Sequence, residues 1–209
     1  MALINNIRNL VGMLMQPNQH QESQQLAGRA GVDTTDFAKI ASIGLPLLLQ
    51  AMNRKTQNKE GLNSFNQALT QHQTRNNYNS LDQFAQNVDT DDGDKIVNHV
   101  LGGEKEEVNT GLAQRLNVNP QTVQRTLAIL APLIMKYLAD RKQEKNLGPN
   151  EIQRETQEVS HEATQQVRDY NKTDNNGGLL GGLLDNFTNN NANDNQDKGL
   201  LGEIFNLFK

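Results

Sequence analysis

The chain has 209 residues, a formal net charge of −4 and no cysteine, with a sequence pI of about 5.6. The absence of cysteine excludes disulfides and thiolate metal sites, and the acidic balance argues against attraction of the whole surface to nucleic acid or anionic lipid. Hydrophobic residues make up 35% of the chain and aromatic residues 4%, so a core must come mainly from Leu, Ile, Val and Ala. The 49 Asn and Gln residues predict large solvated surfaces or disordered sequence.

The first 16 residues indicate an amphipathic helix rather than a signal peptide. Their apolar residues follow helical spacing, at Leu3, Ile4, Ile7, Leu10, Val11 and Leu14. Arg8 interrupts what would be an uncharged hydrophobic region, and no small-residue cleavage site follows. No apolar run approaches the roughly 18 residues of a membrane span. We therefore expect a cytoplasmic protein whose first element is a helix.

Further helices follow with start and stop signals, and we expect most of the chain up to residue 170 to be helical. The predicted helices cover residues 20–30, Asp33 to about Thr56, 60–73, about 81–88, Asp91 or Asp92 to Gly102, Asn119 to about Glu144, and 149–170. Asp33 and Asn119 are the expected caps of their helices, Pro120 is expected in the first turn, and Gly102 is the expected terminator.

An internal repeat connects two of these segments, because residues 26–55 recur as residues 112–141, 86 positions later. The identical pairs are Leu26 and Leu112, Ala27 and Ala113, Arg29 and Arg115, Val32 and Val118, Ile43 and Ile129, Pro46 and Pro132, and Leu47 and Leu133. Such a repeat predicts one supersecondary unit built twice. The matched Pro46 and Pro132 predict a kink in each long helix, at roughly 3 kcal/mol apiece. The alternative is that one helix ends and another begins at each proline.

Each repeat copy has the pattern of a helix-turn-helix. In LAQRLNVNPQTVQRTL, Ala113 is small where two helices cross and Asn117 can take a left-handed turn. DNA binding through the second copy would use Gln121, Thr122, Gln124 and Arg125. The first copy instead starts its helix with acidic residues, which would repel phosphate. We favour a structural use of both copies and keep DNA binding by the second as the alternative.

No residue pattern indicates a metal site, a cofactor site or a catalytic site. The cluster Asp89, Asp91, Asp92 and Asp94 does not fit a calcium loop, because His99 stands where a glutamate ligand is needed. Helix capping by carboxylates explains the cluster better. The four histidines lack metal-ligand spacing, and we expect most of them on the surface, with His99 partly buried. Phosphate loops and nucleophile elbows are missing, so we expect no enzyme, no cofactor and no metal.

The segment after residue 170 contains two apolar decapeptides related by a 21-residue shift, GLLGGLLDNF at 178–187 and GLLGEIFNLF at 199–208. Short apolar helices on a tether are docking elements for a groove, a second copy or a bilayer surface. The candidate docking residues are Leu179, Leu180, Leu183, Leu184, Phe187, Leu200, Leu201, Ile204, Phe205 and Phe208. Low positive charge disfavours surface membrane contact. The alternatives are that the motifs fold back over the domain or stay disordered.

The proline-containing helices IGLPLLLQAM and LAPLIMKYL, the segment GDKIVNHVLGG and the GLLGGLLD motif together resemble a bacterial family, domain of unknown function 937, also called YidB-like. The resemblance covers about residues 25–145. It implies a mostly helical domain with a homeodomain-like element and no established activity, and it transfers no site residues.

These observations predict an all-α bundle of eight or nine helices with an internal pseudo-duplication of a helix-turn-helix-like unit and a flexible C-terminal tail. The predicted parts are a helical YidB-like domain over 1–146, a peripheral amphipathic helix over 147–170 and a low-complexity tail over 171–209. The expected function is a non-enzymatic interaction or scaffold protein, with a protein partner or self-association through the tail motifs.

Overall fold

The computed structural model describes residues 4, 6–16, 19–75, 78 and 80–173, and for 73–75 and 171–173 it describes the backbone alone. The described part is built from helices: α1 Ile7–Met15, α2 Gln21–Ala30, α3 Thr34–Lys55, α4 Lys59–Arg75, α5 Leu81–Asn87, α6 Thr90–Leu101, α7 Lys105–Leu116, α8 Pro120–Glu144 and α9 Pro149–Thr173. A single 3-10 turn, Gly102–Glu104, joins α6 to α7. The predicted all-α fold is confirmed. None of these helices is both long and apolar enough to cross a membrane.

Helix starts follow the predicted caps at Asp33 and Asn119, with one correction at α6. Asp33 accepts hydrogen bonds from the backbone N–H groups of Thr35 and Asp36, and Asn119 accepts one from Gln121. At α6 the prediction of Asp91 or Asp92 as the cap was wrong. Asp89 is the cap, and its carboxylate accepts from the N–H groups of those two residues, which therefore lie in the first turn.

Both repeat copies form two helices joined by a left-handed residue. Gly31 (φ 65°) ends α2 and Asn117 (φ 52°) ends α7, as predicted for Asn117. The next residue donates its backbone N–H to the same position in each preceding helix, from Val32 to Ala27 O at 3.1 Å and from Val118 to Ala113 O at 3.0 Å. This 6→1 hydrogen bond is the signature of a Schellman turn. The pseudo-duplication of the whole unit stays a prediction.

The long helices α3 and α8 form the centre of the bundle. Each is continuous through its proline, so a helix break at Pro46 or Pro132 is not what is observed. Almost every residue from 37 to 49 and from 126 to 140 is buried. Burial on all sides requires neighbours on all sides, and α6, α4, α7 and α2 pack on α8 while α9, α1 and α6 pack on α3. The predicted kinks themselves stay a prediction.

The backbones of α6 and α8 approach each other closely near Pro132. Pro132 has no N–H, so the carbonyl of Ala128 loses its hydrogen bond within the helix. Gly93 of α6 lies against this carbonyl, and a Cβ atom at Gly93 would be 1.8 Å from the Ala128 oxygen. Only a glycine permits this approach, which positions α6 across α8.

Helix α9 closes the bundle over α1 and α3. Its apolar stripe of Ile152, Val159, Ala163 and Val167 is buried. The buried carboxylate of Glu155 lies 2.5 Å from Arg141 and 2.8 Å from Lys145, both from the end of α8. This carboxylate has a cation on each of its oxygens, as a buried charge requires.

We predict that Gly93→Ala lowers the free energy of unfolding by about 2 kcal/mol or more, because the added methyl group would overlap a backbone carbonyl. The matched control is Gly28→Ala in α2, where an added Cβ meets nothing within 4 Å. That control should stabilise the protein by about 0.5–1 kcal/mol through helix propensity. Urea unfolding followed by circular dichroism measures both. Equal effects of the two substitutions would contradict the close packing of α6 on α8.

Candidate functional site

The residues predicted to contact DNA lie at the start of α8 but do not form one free face. Gln121 and Arg125 are exposed, whereas Thr122 and Gln124 are partly buried. The side-chain amide of Gln124 donates to both carboxylate oxygens of Asp94 in α6, at 3.3 and 3.1 Å. Two of the four side chains are therefore available to a ligand, and one of the others is committed to a neighbouring helix.

Helix α6 sets the electrostatics of this region. Its close approach at Gly93 brings Asp94 beside α8, where Lys105 Nζ also lies 3.7 Å from the carboxylate. A polar cleft of about 440 Å³ is lined by residues of α2, α6 and α8, among them Arg29 and Arg125. Arg29 already donates to the carbonyl of Val88, at 2.9 Å from Nη2. The cleft thus contains both cations and a carboxylate, so the charge of its lining is mixed rather than basic.

The start of α3, the equivalent helix in the first copy, is acidic as predicted. The pKa of Asp33 is lowered, chiefly because its carboxylate accepts the backbone hydrogen bond from Thr35. Asp36 follows in the same turn, paired with Lys39 at 3.2 Å. A fixed carboxylate at the tip of the helix repels a phosphate backbone.

A second depression, which the sequence reasoning missed, is an apolar groove between α4 and α6. We call it the α4/α6 groove. It has a volume of about 320 Å³, and its lining includes the apolar residues Phe65, Ala68, Ile96, Val100 and Met135. The two walls each pack on α8 but make few contacts with one another, which leaves the space between them open. Met135 of α8 belongs to the floor and is itself buried.

Cations and histidines surround the α4/α6 groove. Lys55, Lys95, His72 and His99 belong to its lining, and no carboxylate does. His99 is exposed, so the expectation that it is partly buried was wrong; it lies beside the apolar face of α6 on the open side of the groove. His72 Nε2 is 3.8 Å from a carboxylate oxygen of Asp92, which joins α4 to α6 at one point.

Two hydrogen bonds hold the α4 wall on α8. Lys142 Nζ donates to the carbonyl of Asn66 at 3.1 Å and to Thr70 Oγ1 at 2.6 Å. Burial lowers the pKa of Lys142. Polar contacts with α8 therefore fix this wall, whose groove side carries apolar and polar side chains together with His72.

One signal in the sequence could have revealed the groove. The apolar face of α6 consists of Ile96, Val97, Val100 and Leu101. Of these four residues, Val97, Val100 and Leu101 are buried, while Ile96 stays partly exposed. Helix α6 packs on both α8 and α3, and Ile96 widens its apolar stripe beyond the three residues that are buried. The width of the apolar stripe can be seen in the sequence, but the position of Ile96 opposite α4 cannot.

The remaining site predictions fall partly outside this region. The ten candidate docking residues of the two tail motifs, from Leu179 to Phe208, lie outside the described residues. Within the described part of the chain, no group of three His, Asp or Glu side chains could hold a metal ion. The Asp89–Asp94 segment instead caps α6 and contacts α8.

Comparison with known proteins gives a family of unknown function. The family profile described as "Bacterial protein of unknown function (DUF937)" matches residues 12–141. The chain belongs to this family. The match begins within α1 and ends near the end of α8, so it spans both repeat copies and both walls of the α4/α6 groove. No curated protein and no solved structure matches the chain.

We predict that Ile96→Ala lowers the free energy of unfolding by about 1 kcal/mol or less, because Ile96 borders open space. The matched control is Leu101→Ala on the same helix, where a buried side chain should cost about 3 kcal/mol. Chemical unfolding of both variants provides the comparison. A cost for Ile96→Ala as large as that for Leu101→Ala would show that Ile96 belongs to the core and not to a surface groove.

Proposed function

We propose that this DUF937 protein is a non-enzymatic, cytoplasmic interaction or scaffold protein that docks or self-associates through its two tail motifs. The observation that carries the proposal is the shared spacing of those motifs. Leu179, Leu180, Leu183, Leu184 and Phe187 repeat at Leu200, Leu201, Ile204, Phe205 and Phe208, so each set of five would form one stripe on a helix. Helix-in-groove recognition uses anchors with this spacing.

The buried charges of the described residues are paired with one another, and the apolar groove is open to a binding partner. The ionised side chains that are buried serve as structural partners, since Lys136 pairs with Asp140 one turn along α8 and Glu155 pairs with Arg141 and Lys145. The α4/α6 groove has an apolar lining with two lysines and two histidines, of which His72 lies 3.8 Å from the carboxylate of Asp92. A groove of this composition suits binding of an apolar segment.

Deletion of residues 177–209 tests the proposal. We expect the deletion to abolish a concentration-dependent oligomer or the retention of a specific protein partner, because all ten anchor side chains are removed. The matched control keeps both motifs and replaces the polar residues 188–197 with a Gly-Ser linker of equal length. Sedimentation velocity over a range of concentrations and nuclease-treated affinity capture are the measurements. If the deleted and full chains behave alike in both, the proposal fails.

The alternative function is DNA binding by the second helix-turn-helix-like unit. Its support is the exposure of Gln121 and Arg125 and the second guanidinium, Arg29, in the same cleft. The carboxylate of Asp94, held against Gln124, works against it. This charge pattern makes DNA binding the weaker of the two proposals.

Duplex binding measured against salt concentration tests the alternative. If it holds, affinity should fall steeply with salt, and Arg125→Ala should remove sequence preference at a cost of about 1–3 kcal/mol. Arg154→Ala on α9 is the control, since Arg154 is exposed and far along the chain from α8's start. Absence of binding at low salt, or equal effects of the two substitutions, would exclude the alternative.

A further inference from the structure

The α4/α6 groove combines an apolar lining with positive charge that is left without a partner. Lys55 and Lys95 line it, and within the described residues neither side chain forms a hydrogen bond or an ion pair. The carboxylate of Asp92 approaches the lining at His72, from which it lies 3.8 Å. Away from His72, a ligand with an apolar body and an anionic head group therefore meets complementary chemistry at both of its ends.

The residues that α6 contributes to the lining form an apolar row and a basic row. Ile96 and Val100 lie one turn apart, and so do Lys95 and His99, because residues four apart share a face of a helix. Val100 is buried and Ile96 partly exposed, whereas Lys95 and His99 are exposed. The apolar row thus belongs to the inner lining together with the buried Met135, and the basic row borders solvent. A hydrocarbon chain on the first row can place an anionic head group beside the second.

The volume of the groove selects a slender ligand. At roughly 30 Å³ for each non-hydrogen atom, the volume of about 320 Å³ holds about ten such atoms. An eight-carbon carboxylate such as octanoate has this size. One turn of a helix with its side chains, about 10 Å wide and 5.4 Å long, needs about 420 Å³. A helical peptide would therefore insert only single side chains, whereas an alkyl carboxylate fits as a whole.

We propose that the α4/α6 groove binds a medium-chain aliphatic carboxylate, whose hydrocarbon chain lies on the apolar lining and whose carboxylate pairs with Lys95. Lys55, at the end of α3, adds positive charge to the same lining. The tail motifs take no part in this binding, so the site goes beyond the proposed docking function and does not rest on it.

Titration of the full-length protein with octanoate, followed by methyl NMR, tests the site. Labelled Ile and Met methyl groups report on Ile96 and Met135 in the lining. Ile7 is the internal control, because it is buried on α1, which packs on α2, α3 and α9. We expect Ile96 and Met135 to shift with a Kd of about 0.1–1 mM, which corresponds to a modest ligand efficiency for about ten atoms.

Chain length tests the apolar half of the recognition. From butanoate to octanoate, we expect affinity to rise about fourfold for each methylene group that leaves water for the lining. Ala68→Leu should weaken octanoate binding at least about tenfold, because the larger side chain displaces about two methylene groups of the ligand. Ala68 is partly exposed, so no core residue is changed. The matched control is Asn63→Leu, at an exposed position of α4 outside the groove lining.

Octylamine tests the charged half, since it has the same chain as octanoate and the opposite charge. We expect octylamine to bind at least about tenfold more weakly, because Lys55 and Lys95 repel its ammonium group. Lys95→Gln should weaken octanoate about threefold to fivefold, as expected for the loss of one exposed ion pair. Lys59→Gln removes the same charge from an exposed position at the start of α4, outside the lining, and should leave the affinity nearly unchanged.

Unchanged Ile96 and Met135 signals at millimolar octanoate would overturn the inference. Equal affinities for octanoate and octylamine would also overturn it, because the groove would then bind alkyl chains without recognising a carboxylate. A third contrary result is a shift of both signals on deletion of residues 177–209 alone, since the tail would then occupy the groove. Oligomer and capture measurements judge the tail motifs separately, so loss of a partner on deletion with no octanoate binding would leave the proposed function standing.

Discussion

The position of α6 depends on one backbone carbonyl, that of Ala128 in the middle of the buried helix α8. An interior proline at position 132 removes the hydrogen bond donor that this oxygen would otherwise have. Gly93 lies directly against the oxygen, at a distance that no side chain would allow. The contact brings two backbones together where side chains normally separate them. The α6 helix can therefore lie across α8 in only one place.

The polar cleft and the α4/α6 groove both follow from that placement. On one side of the contact, α6 brings Asp94 beside Gln124 and so covers part of the start of α8. On the other side, it holds Ile96 and Val100 at a distance from α4, which leaves the α4/α6 groove open above Met135. The same helix that places a carboxylate beside the start of α8 thus also forms one wall of the apolar groove.

The sequence predicts the helices well because their signals are local. Asp33 and Asn119 reveal themselves as caps by residue type and position, and the left-handed Asn117 follows from the pattern of the turn. The cap of α6 was misjudged because four carboxylates in six residues offer several candidates, and only backbone geometry selects Asp89. The α4/α6 groove could not be predicted in the same way. It depends on how far apart two helices lie, and that distance is set by Gly93 against a third helix.

The two long helices meet the same structural problem with different solutions. Each long helix carries a proline and so a carbonyl without its usual donor, at Ser42 in α3 and at Ala128 in α8. In the second copy, Gly93 packs on that carbonyl. Eighty-six positions earlier the chain has Ile7, a buried residue whose Cβ excludes such an approach. In α3 the close contact falls instead at Gly44, where a Cβ would be 2.8 Å from a methyl group of Leu127. Gly44 therefore allows the two long helices to pack closely, whereas Gly93 allows α6 to pack on α8 and so positions one wall of the groove.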